Sequence, residues 1–76
     1  MIGYQAIGGT GQIERKTEKA LLIRVTTTRG ERDVWFPRSQ IVIENGYIHA
    51  KDWIVETKGR DVAPIITIDP RMVEAA

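Results

Sequence analysis

A chain of 76 residues with a formal charge of +1 and 42% apolar residues is one small domain, apolar enough for a compact core and too apolar for a disordered segment. It contains no cysteine, which excludes a disulfide framework or a thiolate metal site. The opening MIGYQAIGGTGQ lacks the basic start and long apolar run of a signal peptide, and no stretch reaches the roughly 20 apolar residues of a membrane span. The expected setting is the cytoplasm, without membrane contact.

Residues 1–7 read as a weak strand, with Ile2, Tyr4 and Ala6 alternating against Gly3, Gln5 and Ile7. The following Gly8-Gly9-Thr10-Gly11 opens no helical pattern and lacks the lysine-serine pair of a phosphate loop, so a turn or bulge is expected. Residues 12–16 form a short polar lead-in around Ile13. Between Glu18 and Thr27, Leu21, Ile23 and Val25 alternate with Leu22, Arg24 and Thr26. Period two with a β-branched end predicts a strand whose first set faces the core, leaving Leu22 apolar on the outer face. Thr28 to Arg32, with Gly30 in its middle, is the expected hairpin connection. Asp33 to Phe36 is then a short strand with Val34 and Phe36 facing one way and Trp35 the other. Pro37, which lacks a ladder donor, ends it.

Ile41–Glu44 and Tyr47–Ala50 are predicted as a hairpin around Asn45-Gly46, a pair suited to the two positive φ values of a type I′ turn. From Asp52 to Lys58 the period changes to about two helical turns. Asp52 is the expected N-cap, Gly59 the left-handed C-terminal cap, and Trp53 with Ile54 the docking face. Ala63-Pro64 reopens the chain, Ile65 to Ile68 supplies a last strand, and residues 71–76 are expected to be a frayed tail or a helix held by crystal contacts. The expected fold is all-β and spans residues 1–76 as one domain. It is an SH3-like antiparallel β-barrel of five or six strands with one short helix before the last strand, or alternatively an OB-like barrel.

Catalytic chemistry has little to stand on. His49 is the single histidine and falls in a strand. No histidine–carboxylate spacing suggests a zinc site, and Ser39 has no nucleophile-elbow context. A non-enzyme with no metal and no cofactor is expected. The charge is distributed unevenly, however. Residues 15–38 hold seven basic side chains (Arg15, Lys16, Lys19, Arg24, Arg29, Arg32, Arg38) against three acidic ones, net +4, which leaves the remainder at net −3. Trp35, Tyr47 and Trp53 offer stacking faces, and Arg24, Arg32, Arg38 and Lys51 offer phosphate contacts, the combination by which small barrels hold single strands. The plainer reading carries more weight on sequence alone: tryptophans in so small a domain are most often core or core-rim residues. Likewise, a net +4 window reads first as a solvated edge of mixed ion pairs. Trp35 is the stronger binding candidate, because its neighbours point the other way.

Thr17-Glu18-Lys19-Ala20 before an apolar strand, then Val34-Trp35-Phe36-Pro37-Arg38-Ser39-Gln40-Ile41, then Trp53-Ile54 with Lys58-Gly59, resembles a pattern in a family of small, uncharacterised phage and mobile-element proteins. The resemblance covers residues 17–59 and departs from the pattern at Lys51, where a proline commonly precedes the helix. It implies a mobile-element origin and a shared barrel, with no settled activity. Two functions are therefore expected. The first is a nucleic-acid-binding accessory module of a phage or mobile element, for single-stranded DNA or RNA, using Trp35, Arg38, Arg24, Arg32, Tyr47 and Lys51. The second is a protein-binding module, such as a phage-encoded inhibitor of a host defence system. An exposed edge strand also leaves room for a homo-oligomer.

Overall fold

Six strands and one helix form in the computed structural model, which describes residues 2–69; the expected tail lies outside them. In chain order these are β1 (Tyr4–Gly9), β2 (Ile13–Lys16), β3 (Ala20–Thr27), β4 (Gly30–Pro37), β5 (Ile41–Glu44), β6 (Tyr47–Lys51) and α1 (Asp52–Asp61). Short 3-10 turns precede β2 (Thr10–Gln12) and β5 (Arg38–Gln40). The strands make two antiparallel three-stranded sheets, ordered β1-β6-β5 and β2-β3-β4. Neither sheet closes on itself among the described residues.

Alternation decides which residues enter the core. Leu21, Ile23 and Val25 of β3 are buried with Val34 and Phe36 of β4, while Ile7 of β1 and Ile48 and Ala50 of β6 come from the other sheet. All belong to one apolar cluster, so the two sheets meet through these faces and their outer faces point apart. Ile54 and Val55 of α1 complete the cluster. Gln12 links the sheets through polar groups: its Oε1 accepts the Gly9 N–H at 2.9 Å and its Nε2 donates to the Arg24 carbonyl at 2.7 Å.

The Asn45-Gly46 turn forms as expected, with φ of +53° and +80°. Elsewhere the local expectations need correction. The β3–β4 connection is tighter than expected. Thr27 pairs with Gly30, and the buried Thr27 hydroxyl donates to the Gly30 carbonyl and accepts from the Arg29 N–H. This brings Gly30, Glu31 and Arg32 into the strand ahead of the expected start at Asp33. The helix runs three residues past Lys58, and Gly59 lies inside it rather than at a left-handed cap, in close approach to Pro64. Asp52 is the first helical residue and makes no cap hydrogen bond; Lys51 occupies the N-cap position. Asp52 still suits the positive end of the helix dipole. Docking uses Ile54 and Val55, and Trp53 is 54% exposed.

The expected last strand is replaced by two isolated bridges, Thr27 with Ile65 and Ala6 with Ile68. Their hydrogen bonds run from Thr28 N to Pro64 O, Ile66 N to Thr26 O and Ile68 N to Ala6 O. The segment therefore crosses from the end of β3 to β1 instead of running along either strand.

Candidate functional site

The outer face of β2-β3-β4 gathers the most chemistry. Cross-strand partners share a face, and Leu22 pairs with Trp35 on one side and Arg15 on the other. A bulge between Ile13 and Arg15 shifts the β2 register there. Ile13 packs against the core, whereas Glu14 reaches Arg24 on the outer face. The central row is thus Arg15, Leu22 and Trp35, with Trp35 41% exposed and Leu22 half-buried. As expected, the indole lies opposite in direction to the buried Val34 and Phe36.

The row beside it is saturated with charge. Arg24 Nε lies 3.1 Å from Asp33 and 3.2 Å from Glu14, and Nη1 lies 3.8 Å from Glu31. The hydrogen bond to Asp33, then the Asp33 and Glu14 charges, hold this guanidinium even more firmly protonated than usual. Three carboxylates around one arginine leave that corner net negative, so Arg24 is poorly placed to meet a phosphate.

Arg38 begins the 3-10 turn after β4. Its backbone N–H donates to the Lys19 carbonyl at 2.9 Å, and its Nε donates to the Thr17 carbonyl at 2.8 Å. Arg38 thereby ties the end of β4 to the β2–β3 turn. Arg15, Lys16, Lys19 and Arg38 form no ion pair among the described residues. Only Glu18 opposes them locally, so the basic character of the window is concentrated at this end of the sheet.

The other three sequence-chosen residues lie elsewhere. Arg32 pairs with Val25 and so sits on the Val34–Phe36 side of β4, out beyond the core, with its Nη1 bonded to the Glu31 carbonyl. Tyr47 and Lys51 alternate with the buried Ile48 and Ala50, which puts them on the outer face of the other sheet. Trp35 and Arg24 therefore share the outer face of β2-β3-β4, with Arg38 just past the end of β4, whereas Arg32, Tyr47 and Lys51 do not join them. Arg15 was missed by sequence reasoning, since only the register of β2 against β3 brings it into the row of Leu22 and Trp35.

A cleft of about 810 Å³ runs along α1, walled by Val55, Gly59, Val62, Pro64 and Ile65 with Arg29 at its rim. None of the six sequence-chosen residues lines it. No group of three or more histidine, cysteine, aspartate or glutamate side chains among the described residues is arranged to hold a metal ion. No described helix is long and apolar enough to cross a membrane. Comparison with protein-family models, with curated proteins and with solved structures finds no match to this chain.

Proposed function

We propose that this protein is a non-enzymatic nucleic-acid-binding accessory module of a phage or mobile element, its two sheets wrapped around their shared core in the manner of an SH3-like barrel. It takes single-stranded DNA or RNA on the outer face of β2-β3-β4. The reading rests on Trp35, an indole left 41% exposed on a sheet face whose end carries cations with no carboxylate partner among the described residues. A base stacks on Trp35 with Leu22 as its apolar neighbour. Arg15, Lys19 and Arg38 meet the phosphates, and Arg24, occupied by its carboxylates, does not. The face suits a single strand because its bases are free to reach the indole, whereas in a duplex they are stacked on one another.

The test is fluorescence anisotropy with labelled oligo(dT) and oligo(U) at two salt concentrations. Trp35→Ala should weaken binding roughly 5- to 140-fold, the range for losing one base–aromatic stack. Absence of binding by the unmutated protein at low salt refutes the nucleic-acid reading. One observation favours a protein partner in that event. Trp35 stands between a basic end and the acidic ring around Arg24, an aromatic anchor with a mixed polar rim of the kind found at protein interfaces.

A further inference from the structure

The guanidinium of Arg38 is a side chain already held in place. Its Nε–H is bound to the Thr17 carbonyl at 2.8 Å and its own backbone N–H to the Lys19 carbonyl at 2.9 Å. The turn that supplies both carbonyls is itself closed. Thr17 N–H donates to the Ala20 carbonyl at 2.8 Å, and the Ala20 N–H donates to Thr17 Oγ1 at 3.0 Å. With Nε engaged, the four remaining N–H groups on Nη1 and Nη2 make no hydrogen bond within the protein among the described residues. A planar guanidinium pinned on one side presents a fixed pair of donors on the other, and little rotamer freedom is left to lose when an anion arrives.

We infer that Arg38 is a pre-set fork for two oxygens of one phosphodiester, and that the Thr17 carbonyl is the group that aims it. The inference rests on the nucleic-acid reading and deepens it: the strand lying over Trp35 is fixed in register by a bidentate phosphate contact at Arg38. A point charge at this place would attract the strand equally well from a distance but would not orient it.

Three variants separate aim from charge. Arg38→Ala should weaken oligo(dT) binding and lower the salt slope by about one phosphate contact. Arg38→Lys keeps the charge and so keeps the salt slope, yet should still weaken binding about tenfold, as expected for a lost charge-assisted hydrogen bond. Thr17→Ala removes no charge. It should loosen the turn, weaken binding and speed solvent exchange of the Arg38 Nε–H in ¹⁵N NMR spectra, with the circular dichroism spectrum unchanged. Arg38→Lys binding as tightly as the unmutated protein overturns the fork while leaving the nucleic-acid reading standing. An Nε–H in the free, unmutated protein that exchanges as fast as free arginine overturns the aiming role without reference to any ligand. Failure of the unmutated protein to bind oligo(dT) removes the nucleic-acid reading, and the fork with it.

Discussion

Gly46→Val isolates one conformational term in this fold. Gly46 is the second residue of the β5–β6 turn and has φ +80°. A Cβ added there meets no atom within 4 Å, so the added Cβ brings no clash and the expected loss lies in the backbone. An L-residue in this left-handed region costs roughly 1–2 kcal/mol, and a β-branched one falls at the upper end. The Gly46 carbonyl also accepts the Thr10 N–H at 3.0 Å, so a turn that shifts to relieve the strain gives up that bond as well. A total of about 2 kcal/mol is a large share of the roughly 4–11 kcal/mol expected for a domain of this size. With a urea slope near 1 kcal/mol per molar, the midpoint followed by tryptophan fluorescence should fall by about 2 M. Asn45→Gly is the control: φ is already +53° at that position, and glycine fits it without strain. An unchanged midpoint for Gly46→Val would refute the reasoning, since the strain of the positive φ has to appear in the stability.

Gly59→Ala sets helix propensity against packing. Alanine gains about 1 kcal/mol inside a helix, but its Cβ would lie 3.3 Å from Pro64 Cα. Pro64 is held by Thr28, so overpacking should win; a net loss of about 1 kcal/mol is expected, and a higher melting temperature would show that the segment gives way. Phe36→Ala, at a side chain 0% exposed, should cost about 3–5 kcal/mol and leave the protein close to unfolding, as measured by the urea midpoint; a loss under about 1 kcal/mol would contradict a well-packed core at that site.

Wherever one strand decides the outcome, the sequence was readable. The alternation of Leu21, Ile23 and Val25, the opposite facing of Trp35 from Val34 and Phe36, and the Asn45-Gly46 turn are each set by neighbours a few residues away. The helix was legible as an element but not in its details. With so few turns, Trp53-Ile54 and Ile54-Val55 make equally good apolar faces, and tertiary packing chooses the latter pair. Gly59 looked like a cap because glycine usually is one; its actual role, close contact with Pro64, depends on a segment that returns from another part of the fold. Ile65 to Ile68 has the composition of a strand, but it pairs with two different strands in turn. The candidate site divided for a related reason. Period two assigns a residue to a face of its own strand and is silent on which sheet that strand joins. Tyr47 and Lys51 therefore looked as close to Trp35 as Arg38 did, and Arg15 did not stand out at all.

The crossing segment also fixes an order of assembly during synthesis. The meander β2-β3-β4 is continuous from Ile13 to Pro37, so all its pairings become available once Pro37 has left the ribosome. The other sheet must wait for β6 to come back to β1, a pairing as distant as Tyr4 with Lys51. Last of all come the bridges at Ile65 and Ile68, which fasten the end of β3 to β1 and pair residues far apart in sequence, the slowest kind of contact to form. Until Ile68 emerges, the nascent chain can hold its local hairpins but not the link from β3 to β1 through which this segment ties the two sheets together.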